Sequence, residues 1–333
     1  MSAVILMYHR VCAPAASTAC YFARGTAVMP ATFERHLDEL ATRFRFASLR
    51  EALAPDSPDP LCALTFDDGY LDVAEVVHPL CAARNIPIAV FPIVDHVGES
   101  PSAAWFDTYY DLIHRATRRS GLSPGELGLE DGLVVPSIDD DLRWWVRGPL
   151  KRRLAGLAGV ALDHALGALA QALATPVMES LAARLYMRRT DLAALQRHGA
   201  VIGGHGATHT RLDALSPSDA RDEVMASTRF LDELAVPHPR VFCYPDGGCP
   251  EHAGALLADA GFDWGLSVAA GPWTCDGDPM RVPRYLMRET TTPLEVDAMR
   301  RALDADVHDR AAGDAARPVQ AGLSSSHDAD VSA

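Results

Sequence analysis

The chain has 333 residues, a formal net charge of −14, 48% apolar residues and 22% charged ones. This length suits one large domain with an insertion, or two domains, and the composition is that of an ordinary globular protein. The negative balance argues against nucleic acid or an anionic membrane as the main partner. No run of about 18 apolar residues marks a transmembrane helix.

The opening MSAVILMYHRV lacks the basic flank, long apolar run and cleavage site of a secretory signal. Its stretch Ala3 to Tyr8 reads as a first buried strand, ending at His9. Residues 11–29 read as irregular. Pro30 to Arg43 is a helix, with apolar spacing at Phe33, Leu37, Leu40 and Phe44. After a Pro/Asp-rich loop, LCALTFDDGY (Leu61 to Tyr70) is a strand that ends abruptly in Asp67, Asp68 and a glycine. Tyr70 to Arg84 reads as a helix and Ile86 to Val94 as the next strand, so the rhythm is βαβ with parallel pairing.

Residues 99–189 break this rhythm with aromatic and Leu/Ala-rich helices, and read as one helical insertion that covers the site or binds a partner. Trp105, Trp144 and Trp145 are candidates for a lid or for sugar stacking, with core packing as the plainer alternative. The alternation then resumes through TDLAALQRHG, AVIGG, a capped helix from Ser216 to Leu234, RVFCY, PEHAGALLADAG, FDWGLSV, RVPRYLM and TPLEVDAMRRAL. From Asp306 the Ala/Asp/Ser/Gly-rich tail reads as disordered. Seven or eight strands alternating with helices favour an α/β barrel over an open doubly wound sheet, and no Gly-rich nucleotide turn occurs. The seven scattered cysteines form no CxxC pair, which fits a reducing compartment and makes the cytoplasm the expected location.

Two neighbouring carboxylates at a buried strand tip repel each other and call for a cation. A second strand runs out through Gly203 and Gly204 into His205-x-x-x-His209. With one carboxylate of the Asp pair, these imidazoles make a 2-His-1-carboxylate face with open positions. Such a face also suits non-haem Fe(II). The α/β pattern and the paired histidines fit zinc or a similar Lewis acid better, and leave the second carboxylate as general base. Phe242-Cys243-Tyr244-Pro245-Asp246-Gly247 ends a third strand in a turn whose N–H groups could meet an oxyanion, though Pro-Asp-Gly is also an ordinary turn.

In this order, TFDDGY, HxxxH and the Tyr-Pro-x-Gly turn resemble the polysaccharide deacetylase family (NodB-like, carbohydrate esterase family four). The segments LMYHRV, TFERHLDEL, AGFDWGLSV and RVPRYLM are similar to its branch acting on exopolysaccharide and cell-surface sugars. The resemblance covers about residues 3–98 and 190–303. It implies a deformed (β/α)7–8 barrel, with a catalytic domain over 1–305 and a tail over 306–333. It implies that Asp68, His205 and His209 bind a divalent metal, Zn²⁺ first, with Co²⁺, Ni²⁺ or Mn²⁺ as alternatives. Asp67 is implied as the general base toward the metal-activated water, and the Tyr244 N–H as an oxyanion donor. Tyr244, Asp246 and Arg284 are expected at the substrate.

Two departures stand out. The arginine expected just before the Tyr-Pro turn is replaced by Phe-Cys, and no late Leu-x-His supplies a general acid. His9 is the candidate for that acid, or else only hydrogen-bonds a loop. Arg284 orients Asp67, or else is a plain surface arginine. The implied activity is a hydrolase that removes acetyl from an N-acetylated sugar in a polymer, an oligomer or a lipid-linked form. The alternatives are a deformylase or amidase on another small amide, and a sugar-binding protein with a degenerate site. Association with a membrane-bound glycan pathway is a further expectation.

Overall fold

The computed structural model describes residues 2–55, 58–97 and 101–315. Eleven strands occur among them: β1 (Ser2–Tyr8), β2 (Arg10–Val11), β3 (Ala27–Val28), β4 (Arg45–Phe46), β5 (Leu61–Asp68), β6 (Ile88–Pro92), β7 (Val201–Ile202), β8 (Val241–Cys243), β9 (Trp264–Leu266), β10 (Trp273–Thr274) and β11 (Tyr285–Leu286). The main sheet runs β10-β1-β5-β6-β7, with β11 also on β1 and β4 also on β5. Every pairing is parallel except β10 on β1.

Two single bridges carry the parallel order onward. Gly204 pairs with Phe242, which joins β7 to β8, and Leu266 pairs with Val282, which leads from β9 toward β11. Since β11 lies on β1, the strands follow one another round a circuit. The α/β architecture with parallel strands is as the alternation predicts. Two of its joints are isolated bridges rather than continuous ladders.

β1, β5 and β6 are buried along their whole lengths, because helices cover one face of a parallel sheet and the circuit encloses the other. Alternate side chains divide accordingly. Ala3, Ile5, Ala63, Ala89, Phe91, Val201, Val241, Leu266 and Val282 pack into one cluster. Val4, Leu6, Tyr8, Leu64, Phe66 and Val90 pack with the helices in the other. Burying a side chain such as Phe66 contributes about 1.5–3 kcal/mol.

Several boundaries differ from the sequence expectation. The segment 11–29 holds β3 and a short helix, Ala19–Arg24, closed by Gly25 at φ 87°. The helix expected from Tyr70 to Arg84 is a π-helical turn, Val73–Val77, followed by His78–Ala82. Pro79 has no N–H to donate, so the ladder widens ahead of it. The final helix, Pro293–Ala315, continues ten residues past the expected boundary at 305. The remaining tail, 316–333, lies outside the described residues. The insertion is helical as expected, with its longest helices at Trp105–Arg115 and Gly159–Ala172. No helix among the described residues is long and apolar enough to cross a membrane.

Gly203 marks where β7 must pass close to its neighbours. A Cβ there would lie 2.3 Å from the Phe91 ring and 2.6 Å from the Val241 carbonyl oxygen. Gly203→Ala should therefore destabilise the fold by about 1–3 kcal/mol. Denaturant unfolding should show this loss, and metal titration a weaker affinity, since the shifted strand carries His205.

Candidate active site

The chain delivers its polar groups to one end of the circuit. Asp67 and Asp68 end β5, and both are 3% exposed. Strand alternation turns them apart. Asp67 continues the face of Ala63 and Thr65, toward the interior. There the wholly buried Arg284 grips it with two charge-assisted bonds, Nη1 to Oδ1 at 2.8 Å and Nη2 to Oδ2 at 2.9 Å. The same guanidinium donates to Thr65 Oγ1 and the Ser267 carbonyl, and lies 3.0 Å from Cys243 Sγ. Burial pushes the Asp67 carboxyl up, but Arg284 outweighs it and holds the group below the usual carboxylate range.

Asp68 takes the other direction, through a left-handed backbone at φ 69°. Its Oδ1 lies 3.4 Å from both His205 Nε2 and His209 Nε2. One donor atom from each of the three residues falls within 4.8 Å of the others. His205 Nδ1 sits 2.8 Å from the Cys243 carbonyl. A carbonyl only accepts, so this bond places the proton on Nδ1 and aims Nε2 at Asp68. Asp68 Oδ1 and His209 Nδ1 are buried without a hydrogen-bond partner. Together with the two imidazole nitrogens, that oxygen makes a donor set that could hold a divalent cation.

Burial disfavours charged rings here. Cys243 and Asp68 nevertheless raise His205 to about 10, and Asp68 raises His209 to about 9. A cation at this point competes with those protons, because its ligands bind deprotonated.

The loop carrying the histidines is held from behind. Glu223, on the helix Pro217–Glu233, accepts from the Ala207 and Thr208 N–H groups and from the Thr208 hydroxyl. Ser227 accepts from the Gly206 N–H at 3.0 Å. His209 itself has φ 64°, a left-handed conformation that the surrounding loop must enforce.

The insertion closes the other side. Phe106 meets His209 edge-on at 5.1 Å between ring centroids. The neighbouring Asp107 is fully buried and accepts from the hydroxyls of Tyr21, Tyr70 and Tyr186. Arg10 lies over the Tyr21 and Tyr70 rings and pairs with Asp72 at 2.8 Å. Lys151 lies 3.8 Å over the Trp105 ring. Sequence reasoning missed Asp107, Lys151, Arg147 and Glu223. The WFDTYYD string hints at Asp107, but its three hydroxyl donors come from distant segments. Of the tryptophans, Trp145 is core, with no exposure, whereas Trp105 borders the cleft.

His9, Asp67, Asp68, His205, His209 and Asp246 line one pocket of about 290 Å³. A cleft of about 820 Å³ adjoins it, sharing His209 and Asp246. The His9 Nδ1 is buried without a partner. Two expectations are corrected. The Tyr244 N–H cannot meet an oxyanion, because the β9 carbonyl of Leu266 takes it at 3.1 Å. The Tyr244 hydroxyl is likewise committed, to the Met280 carbonyl at 2.9 Å. Arg284 does not face substrate, because it is buried beneath Asp67. It reaches Asp67 from beside β11.

Replacing Arg284 by Met should cost about 3–5 kcal/mol by stranding a buried charge, which chemical unfolding will measure. Burial raises the Asp107 carboxyl to about 6, more than the Tyr186 and Tyr21 bonds lower it. An acid whose folded pKa is raised binds its proton more tightly when folded. It therefore lowers stability as pH rises from about 4 to 6. Asp107→Asn should flatten that part of the stability–pH curve, on the order of 2–3 kcal/mol; an unchanged slope would count against the raised value.

Comparison with known proteins fits this geometry. Residues 171–265 match the family described as polysaccharide deacetylase. No curated protein matches the chain. Three solved structures share the fold. The deacetylase PplD of Streptococcus pyogenes, solved in complex with acetate, is 15% identical, with a TM-score of 0.57, covering 90% of this chain and 98% of that one. IcaB from Ammonifex degensii is 19% identical with a TM-score of 0.53, over 91% and 97%. A de-N-acetylase from Aggregatibacter actinomycetemcomitans is 14% identical with a TM-score of 0.55, over 90% and 100%. The matched stretch carries the His-x-x-x-His and Tyr-Pro turns, and the Asp-Asp strand lies outside it. Residues 171–265 thus match the polysaccharide deacetylase family model, and the chain shares its fold with these three structures.

Proposed function

We propose that this protein is a metal-dependent hydrolase that removes the acetyl group from an N-acetylated sugar. One observation carries the reading: the convergence of Asp68, His205 and His209 beside an ionised Asp67 that Arg284 holds in place. Two imidazole nitrogens and one carboxylate suit Zn²⁺ or a similar divalent ion. That ion supplies a Lewis acid, which acidifies water and polarises an acyl carbonyl.

The chain's own residues do the rest. Asp67 accepts the proton of the attacking water at a carboxylate oxygen. Arg284 fixes the direction of that oxygen and keeps it charged. His9, across the pocket, donates a proton to the nitrogen as the C–N bond breaks, leaving a free amino sugar and acetate. Phe106 packs against His209 and excludes water from that side. The pocket is of the size of one sugar residue, and the adjoining cleft offers room for further residues of a chain.

Acetate release from N-acetylhexosamine monomers and oligomers, paired with metal analysis, tests this reading. Asp68→Ala and His205→Ala should lose both metal and turnover. Asp67→Asn should keep the metal and lose at least about 10²-fold in kcat. Full turnover by a metal-free His205→Ala protein would sink the proposal.

A further inference from the structure

The proposed reaction needs no cations at the pocket mouth, yet four converge there. Arg24 ends the helix Ala19–Arg24, Arg147 ends the helix Leu142–Arg147, Lys151 lies on the helix Pro149–Ala155, and Arg288 follows β11. All four line the pocket that holds Asp67, Asp68, His205 and His209. Arg147 and Lys151 share one basic stretch, and Arg24 and Arg288 reach it from distant parts of the chain, so three stretches build the cluster.

Their partners within the chain are few. Arg24 and Arg288 make no side-chain hydrogen bond or ion pair among the described residues. Arg147 donates to the carbonyls of Ala23, at 3.0 Å, and Arg24. Those bonds explain Arg147 as the cap of a short helix, but leave Arg24 and Arg288 unexplained. Gly25 lies between the arginines: a Cβ there would be 3.1 Å from Arg147 Nη2 and 3.7 Å from Arg288 Cδ. Burial, Arg24, Arg143 and Arg288 together lower the basicity of Arg147, the mark of like charges held close. Of the three carboxylates in the pocket, Asp67 is taken by Arg284 and Asp68 by the histidines. This leaves Asp246, whose charge is shared among His209, Lys151 and Arg24. A chain of net charge −14 thus gathers four cations around a single carboxylate, Asp246, that is not already taken at this pocket.

We infer that the acyl sugar this pocket takes carries a phosphoryl group, whose oxygens are met by Arg24, Arg147 and Arg288. One guanidinium satisfies a carboxylate, which has two oxygens and a single charge. A phosphoryl group offers more acceptors and more charge, and matches several planar forks at once. The inference rests on the reading of this pocket as a de-N-acetylation site. The phosphoryl group has two sources: a free sugar phosphate, or a phosphodiester that links the sugar to a carrier.

The test uses the metal-loaded full chain and three probes: the methyl glycoside of N-acetylglucosamine, its phosphate monoester, and a short alkyl phosphodiester of it. Acetate release should favour a phosphorylated probe over the neutral one by about ten-fold or more in kcat/KM. The advantage should shrink at about 0.5 M salt. In the Arg24→Ala/Arg288→Ala protein the phosphorylated-to-neutral ratio should fall toward one. Preference for the monoester assigns a free sugar phosphate, and preference for the diester a carrier-linked one. Equal use of charged and neutral probes, or a ratio untouched by the double substitution, overturns the inference. Calorimetric binding of the same probes reads the preference without turnover. Failure to deacetylate any probe would therefore reject the deacetylase reading, while the binding preference still decides on the phosphoryl site.

Discussion

Two adjacent carboxylates at the tip of a buried strand must both be compensated, and the rest of the site follows from how this is done. A buried unpaired charge costs several kcal/mol, and two like charges side by side cost more. The period-2 geometry of β5 sends Asp67 and Asp68 to opposite faces, so no single cation serves both. Asp67 receives a buried bidentate guanidinium. Asp68 receives two imidazoles. The different partners make the two carboxylates chemically unequal: one is fixed and ionised within the interior, and the other faces two imidazole nitrogens.

Those partners set the demands on the rest of the circuit. Arg284 must arrive from beside β11, which is why the pairing that returns to β1 matters for chemistry as well as for closure. The histidines must leave β7 through two glycines whose absent side chains let Phe91, Phe242 and Ser227 come close. Glu223 then holds the loop from outside by its backbone N–H groups. Cys243 touches both halves of the site, its carbonyl orienting His205 and its sulfur lying against Arg284.

The insertion is a working wall of the site. Its helix Trp105–Arg115 is pinned by Asp107, which gathers three tyrosine hydroxyls from segments before and after it. The adjacent Phe106 is thereby held against His209, and Trp105 carries Lys151 over the pocket. The cations at the pocket mouth are opposite in sign to the chain as a whole, so net charge describes the outer surface and not this pocket.

By itself the sequence determined what repeats or is local: the strand–helix alternation, the Asp-Asp tip, the His-x-x-x-His turn, and the insertion as an interruption of the rhythm. These are readable because periodicity and turn chemistry act over a few residues. Tertiary structure decided everything that depends on meeting across the chain. It settled the choice offered for Arg284, placing it on Asp67 from 217 positions away. It removed Tyr244 as an oxyanion donor, because a ladder bond had already claimed its N–H. It also assembled Arg24, Arg288 and the Arg147/Lys151 stretch from three parts of the chain. A residue's type and neighbours say what it can do; which partner occupies its hydrogen bonds and charge is fixed only when distant segments pack.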